Sequence, residues 1–137
     1  MSSILVPQSG LLSDLKDWVA GDLGSAYFRL FQNNHVYAPT DTPAAYTEAN
    51  FTGYAPITTP AWGVPFINGG GDAEVDSANL VWTFTGSSGT QPVYGIYVTD
   101  SAQIKLYLVV PFLTPFIVQA STPTVSQLLQ LMASGMP

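Results

Sequence analysis

Clusters of turn-forming residues interrupt the chain at short intervals, which limits the length of any regular element between them. The clearest clusters are Asn68-Gly69-Gly70-Gly71, Gly86-Ser87-Ser88-Gly89 and Asp100-Ser101-Ala102-Gln103. Pieces rich in β-branched and aromatic residues lie between such breaks, near residues 27–32, 53–57, 62–67, 80–84, 93–99, 104–110 and 115–120. Many short strands at close spacing predict a mainly β chain, folded as an antiparallel β-sandwich or jelly roll.

The two ends of the chain have different patterns. Near the N-terminus, apolar residues follow Ser9 at helical spacing and stop at Gly21, which predicts a short helix. After Pro123 the apolar residues suit either a short amphipathic helix or a final strand that runs into a tail. We therefore expect an N-terminal arm and short helix over residues 1–26, a β-sandwich domain over residues 27–120, and an extended or helical C-terminal arm over residues 121–137.

Charged residues are scarce: they make up 9% of the 137 residues, against roughly 25% in an average soluble domain. Three basic residues oppose nine acidic ones, so the net charge is -6 and no basic stripe can neutralise a phosphate backbone. We therefore expect no nucleic-acid binding. With so few charges, the folded chain is expected to expose apolar area, which favours a subunit of a larger assembly. The alternative is that uncharged polar residues cover the surface.

The sequence also argues against sulfur-dependent sites, a membrane span and a secretion signal. The chain has no cysteine, which excludes disulfides and sites that need sulfur ligands. The longest apolar stretch, residues 106–118, contains Pro111 and Pro115 and is too short for a membrane-spanning helix, so we expect no membrane partner. The N-terminus lacks a basic region and a full apolar region, so we expect no secretion signal.

The only histidine, His35, follows Asn33-Asn34 in an expected turn. No Gly-x-Ser-x-Gly sequence is present to place a serine nucleophile beside it. We expect a solvated loop histidine, and we expect that the chain is not an enzyme. An enzyme would need a pocket that joins His35 to carboxylates such as those of residues 72–76.

Three carboxylates alternate along one short segment: Asp72, Glu74 and Asp76. In an extended backbone they point to one side, and hard oxygen ligands suit Ca²⁺. An EF-hand loop needs Gly and Glu where this sequence has Ser77 and Thr83. We therefore expect charges exposed on a loop or a sheet edge, with no bound metal and no cofactor.

The aromatic residues raise the question of carbohydrate binding, because sugar rings stack on exposed aromatic faces. Trp82 shares a strand face with Leu80 and Phe84, which is typical of a core residue. Trp62 lies between Ala61 and Gly63, just after Pro60. It remains open as a residue that contacts a glycan.

Two predicted strands are apolar on both faces. Ile104, Leu106, Leu108 and Val110 are expected to share one face of their strand, while Tyr107 and Val109 lie on its reverse face, as Tyr97 does in the strand that contains Tyr94, Ile96 and Val98. Either a second sheet or a neighbouring subunit must cover such a reverse face. Together with apolar residues of the two arms, the candidate interface residues are Ile4, Leu5, Val6, Tyr97, Tyr107, Val109, Leu128, Leu131 and Met132.

Three segments carry a resemblance to a known family: Leu30-Phe31-Gln32-Asn33-Asn34, Thr47-Glu48-Ala49-Asn50-Phe51-Thr52-Gly53-Tyr54-Ala55 and Tyr94-Gly95-Ile96-Tyr97-Val98-Thr99-Asp100. The chain resembles small virion structural proteins of tailed bacteriophages over about residues 27–110. The resemblance implies attachment to the capsid as a decoration or cement protein, often trimeric, and it brings no catalytic residues.

These observations lead to one expectation and one alternative. We expect a homotrimer that binds the major capsid protein on the outside of a phage capsid. Its location is then the surface of the virion, which is assembled in the host cytoplasm. The alternative is a tail or head-fibre module that binds a host glycan, which exposed aromatic residues around Trp62 would favour. The apolar N-terminal arm, Ile4 to Val6 before Pro7, is expected to serve attachment rather than folding.

Overall fold

A computed structural model describes residues 8–58, 60–85, 91–118 and 124–133. The prediction of a mainly β chain with a short N-terminal helix is confirmed: three antiparallel sheets accompany helix α1 (Gln8–Ala20), an arrangement consistent with a β-sandwich. Two short 3-10 helices cover Leu23–Ser25 and Pro43–Ala45. The strands are β1 (Tyr27–Phe31), β2 (Ile57–Thr58), β3 (Phe66–Ile67), β4 (Ala73–Asp76), β5 (Leu80–Thr83), β6 (Gln91–Thr99), β7 (Leu106–Val118), β8 (Thr124–Gln127) and β9 (Gln130–Ala133).

The chain forms two compact units, and each is assembled from segments that are distant in sequence. Within the described residues, unit 1 combines residues 8–24, 60–80 and 127–133. Unit 2 combines residues 25–58, 81–85, 91–118 and 124–126. The units therefore do not follow the expected division at residues 26 and 120, because residues 60–80 group with segments from both ends of the chain.

In unit 1, helix α1 packs against a three-stranded sheet with the order β3-β4-β9. Leu11 and Leu15, one helical turn apart, are buried against Ala73 and Val75 of the central strand β4. This packing uses the apolar spacing from which the helix was predicted. The described helices include none that is long and apolar enough to cross a membrane.

The C-terminal segment is extended where the structure describes it. Residues 124–127 and 130–133 are strands β8 and β9, so a helix over residues 125–132 is wrong and the final-strand alternative holds. The physical reason is the pairing with β4, in which Leu131 lies opposite Val75 and packs on the core of unit 1. Strand alternation then turns Met132 outward, where it is 58% exposed.

In unit 2, the main sheet has the order β2-β1-β6-β7. Strand β7 is continuous through residues for which the sequence predicts two strands, 104–110 and 115–120. It tolerates Pro111 and Pro115 because it lies at the sheet edge, where one row of backbone N–H groups needs no partner. Residues 119 and 120 lie outside the described residues.

A register shift in the β6–β7 pair changes which residues of β7 share a face. Tyr97 lies opposite Val109, but Thr99 lies opposite Leu106, with the shift between Val98 and Thr99. Leu106 and Val109 therefore pack on the same aromatic cluster as Tyr97. The expected common face of Ile104, Leu106, Leu108 and Val110 is thus broken by the bulge.

Candidate attachment surface

The loop that follows β1 folds back on unit 2 and is fixed by one asparagine. The Asn33 side chain donates to the carbonyl oxygen of Ala45 (2.9 Å) and accepts from the backbone N–H of Thr47 (2.8 Å). The backbone N–H of Gln32 also donates to the carbonyl oxygen of Thr47 (2.9 Å). The predicted turn at Asn33-Asn34 is thus tied to the far end of the loop.

Asp41 organises the middle of this loop. Its Oδ2 accepts from the backbone N–H of Ala38 (2.9 Å) and the hydroxyl of Tyr46 (2.8 Å), and it lies 2.8 Å from Nε2 of His35. The Ala38 N–H above all, with further hydrogen bonds from His35 and Tyr46, holds the pKa of Asp41 below its usual value. His35 is therefore partly buried and bound to Asp41, and the expectation of a solvated loop histidine is wrong.

An aromatic cluster lies beneath the loop. Tyr46 stacks on Tyr97, with ring centroids 5.3 Å apart, and it meets the rings of Phe31 and His35 edge to face, each at 5.0 Å. Tyr97 is fully buried. Its proposed role as an interface residue is wrong, because the chain's own loop covers this reverse face of the sheet.

The outside of the loop and the edge strand β7 carry exposed apolar side chains. Val36 is 83% exposed and Tyr37 52%, while Leu113 of β7 is as exposed as in an extended chain. Two clefts of about 380 and 390 Å³ are lined by this loop and β7, and both include Tyr37 and Pro111. We call Val36, Tyr37, Leu113 and the two clefts the attachment surface.

The candidate interface residues lie in different parts of the fold. Tyr107 and Val109 line the 380 Å³ cleft and are partly exposed. Leu128 and Met132 belong to unit 1 and are 46% and 58% exposed, whereas Leu131 packs on the core of that unit. Ile4, Leu5 and Val6 lie outside the described residues.

Unit 1 holds the acidic segment that the sequence places on a loop or an edge. Glu74 lies in the central strand β4 and is only 8% exposed, so its expected exposure is wrong. The side chain of Asn68 donates to Glu74 Oε1 (3.1 Å). The residues that the structure describes include no group of three or more His, Cys, Asp or Glu side chains arranged to hold a metal ion.

Trp62, the residue left open for glycan binding, also belongs to unit 1. It is half-buried and packs on the cluster that contains Leu11 and Val75. Its backbone forms an isolated bridge with Ser77. Its ring therefore contributes to the packing of the helix and the sheet.

Sequence reasoning missed an ion pair in unit 2 between a buried arginine and a partly buried glutamate. Arg29 of β1 is 5% exposed, and its Nη1 donates to both carboxylate oxygens of Glu48 (2.9 and 3.0 Å), while Nε donates to Thr99 Oγ1 (3.0 Å). Tyr54 adds a hydrogen bond from its hydroxyl to Glu48 Oε2 (2.8 Å). The available signal was a charged residue within the apolar run 27–31, because a buried charge needs a partner.

Comparison with protein-family models, curated proteins and solved structures finds no match to this chain.

Proposed function

We propose that the chain is a noncatalytic structural protein that attaches to other proteins through the attachment surface of unit 2. The observation that carries the proposal is the group of exposed Val36, Tyr37 and Leu113 beside two clefts, in a chain of which only 9% is charged. Apolar groups that project from a folded surface are typical of sites that a partner covers.

The partner in this proposal is the shell of a tailed bacteriophage, which the chain decorates from the outside as a homotrimer. Three sequence segments support it by their resemblance to small virion proteins, and two of them, 30–34 and 94–100, contribute Phe31, Asn34 and Tyr94 to the lining of the 390 Å³ cleft. A cement protein stabilises a shell by burying apolar area on several coat subunits, and an exposed apolar surface suits that role.

The chemistry of the clefts supports a noncatalytic role. Their linings contain aromatic, aliphatic and proline side chains, with Asn34, His35 and Asp41 as the polar ones. Among the residues that the structure describes, neither lining includes a serine, a threonine or a lysine. Nε2 of His35 and Oδ2 of Asp41 bind each other, which helps to hold the loop in place.

Oligomeric state is tested first, on the purified chain at micromolar concentration. Multi-angle light scattering is expected to give three times the chain mass of 14.6 kDa. A monodisperse monomer would remove the homotrimer, while attachment to particles would still be tested separately.

Attachment is tested by co-sedimentation with empty capsids of the phage that encodes the chain. Val36→Ser and Leu113→Ser remove apolar area without touching the core, and each is expected to weaken binding about tenfold or more, since a buried aliphatic side chain contributes about 1.5–3 kcal/mol. Val64→Ser is the matched control, because Val64 is 84% exposed and lies in unit 1. Equal binding by all four proteins would contradict the proposed surface.

A second function, binding of a host glycan, is favoured by one observation. The half-exposed ring of Tyr37 lines both clefts, next to Asp41 and Tyr107 in one of them, and sugars stack on such rings. Binding to polysaccharide from the host surface that is lost in Tyr37→Ala but kept in Leu113→Ser would support it. Capsid binding that depends on Leu113, with no polysaccharide bound, would favour the decoration role.

A further inference from the structure

The loop between β3 and β4 is built around the side chain of Asn68. Its Oδ1 accepts from the backbone N–H groups of Gly70 (3.0 Å) and Asp72 (3.1 Å). Its Nδ2 donates to Glu74 Oε1 (3.1 Å) and to Met132 Sδ (3.5 Å). The amide is thus held between two backbone donors on one side and a carboxyl group on the other.

Gly69 follows Asn68 and leaves that amide open to attack. The residue is exposed, and a Cβ added to it would meet no atom within 4 Å. Its N–H donates no hydrogen bond within the described part of the chain. A glycine nitrogen without a neighbouring side chain is the least hindered backbone nucleophile available to an asparagine.

We propose that Asn68 is a site of spontaneous deamidation, in which the backbone nitrogen of Gly69 attacks Cγ of Asn68. The bond from Gly69 N to Cγ forms, the bond from Cγ to Nδ2 breaks, and the proton lost by Gly69 leaves with Nδ2 as ammonia. Water then opens the cyclic imide to aspartate or isoaspartate. Water is the only co-reactant, and no electrons are exchanged.

The contacts of the loop favour this reaction at the oxygen of the amide and hold the amide in one orientation. The tetrahedral intermediate places negative charge on Oδ1, where the N–H groups of Gly70 and Asp72 already point. The hydrogen bond that Nδ2 donates to Glu74 Oε1 fixes the orientation of the amide plane. Asn68 is therefore set apart from the other asparagines, which are followed by Asn34, His35, Phe51 and Leu80.

Deamidation has a structural consequence within unit 1. It replaces the N–H donor to Glu74 by a carboxylate oxygen, which places like charges side by side next to a buried strand. An isoaspartate product also lengthens the backbone between Asn68 and Gly69. The hydrogen bond from Nδ2 to Glu74 is lost in either product, so the modified protein is expected to unfold at lower urea concentration.

The experiment follows the full chain at mildly alkaline pH and physiological temperature. Tandem mass spectrometry of a chymotryptic digest locates the mass increase caused by replacing an amide nitrogen with oxygen. We expect the increase at Asn68 before it is detected at Asn33, Asn34, Asn50 or Asn79, and we expect the product to elute later from an anion exchanger. An Asn68 that stays intact while another asparagine reacts would overturn the proposal.

Two glycine variants separate the chemistry from the loop structure. Gly69→Ala hinders the attacking nitrogen, and it is expected to slow the reaction at least several-fold without a change in fold, since a Cβ there meets open space. Gly63→Ala is the control: Gly63 lies in the same unit and does not contact Asn68, its Cβ would meet only the carbonyl oxygen of Asp76 at 3.4 Å, and the rate is expected to stay unchanged. An unchanged rate in Gly69→Ala, with circular dichroism identical to the parent, would also overturn the proposal.

Discussion

The hydroxyl group of Tyr97 is buried and has no hydrogen-bond partner among the residues that the structure describes. Burial, with the nearby charge of Glu48, raises the pKa of Tyr97 to about 12, so the hydroxyl stays protonated at physiological pH. The rest of the ring fills the space beneath Tyr46. The aromatic ring alone would fill this space, and the buried hydroxyl adds a desolvation cost to folding.

Tyr97→Phe is therefore expected to stabilise the protein. Removing an unsatisfied buried hydroxyl recovers about 1 kcal/mol or more of unfolding free energy, measured as a higher urea midpoint. Tyr46→Phe is the matched control, because the hydroxyl of Tyr46 donates to Asp41 and its loss should cost about 1.5 kcal/mol. A lower midpoint for Tyr97→Phe would mean that its hydroxyl is bonded in solution.

Glu74 and Asp76 lie on the same face of β4 and interact. A hydrogen bond with Glu74, then burial and the charge of Glu74, raise the pKa of Asp76 above its usual 3.8. The folded chain therefore holds this proton more tightly than the unfolded chain does. Its contribution to stability is complete below 3.8 and is lost as the pH rises through the raised pKa of the folded state.

Asp76→Asn is expected to become more stabilising as the pH rises. The variant keeps a neutral partner for Glu74 at every pH, so its urea midpoint should exceed that of the parent at about pH 7 and approach it at about pH 3. Asp41 and Asp100 have lowered pKa values, so they make stability rise with pH. They do so equally in the parent and in the variant, and the difference between the two proteins is unaffected. Asp22→Asn, at an exposed position, is the control, and a constant difference across this range would contradict the argument.

At the scale of elements, local sequence patterns predicted individual helices and strands better than they predicted which elements pack or pair together. The spacing of Leu11 and Leu15 predicted α1 because those residues face one sheet. The two halves of β7 looked separate because Pro111 and Pro115 interrupt them, and edge position cannot be read from a single segment. The strand β9 was ambiguous because its partner β4 is distant in sequence, and the loop 32–46 that covers Tyr97 has no repeating pattern.

The prolines of β7 are expected to prevent edge-to-edge association. Replacing both with threonine, as Pro111→Thr and Pro115→Thr, adds two N–H groups to an exposed edge. The free energy of unfolding is expected to change by less than about 1 kcal/mol. Static light scattering at fixed concentration should then rise with time. Thr114→Val adds apolar character but no N–H and serves as the control; a double variant that scatters like the parent would refute this role.

At the scale of the whole molecule, low charge makes association depend on pH more than on salt. The net charge is -6 and the isoelectric point is about 4.1, while the described residues that line the two clefts include one carboxylate, Asp41, and no lysine or arginine. Self-association through apolar contacts should therefore be nearly unchanged between about 0.05 and 0.5 M NaCl at pH 7, and should increase near pH 4. Sedimentation velocity measures both, and dissociation by salt would indicate an ionic interface instead.

The discontinuous make-up of unit 1 has a consequence for synthesis on the ribosome. Helix α1 and strand β4 emerge early, but β9, which pairs with Val75 through Leu131, is translated only after residues 81–126 of unit 2. Unit 2 can therefore complete its sheet first, although unit 1 contains the earlier residues. Until β9 is made, the sheet that buries the apolar side chains of Leu11 and Leu15 is incomplete. A nascent-chain chaperone is therefore expected to bind unit 1 rather than unit 2.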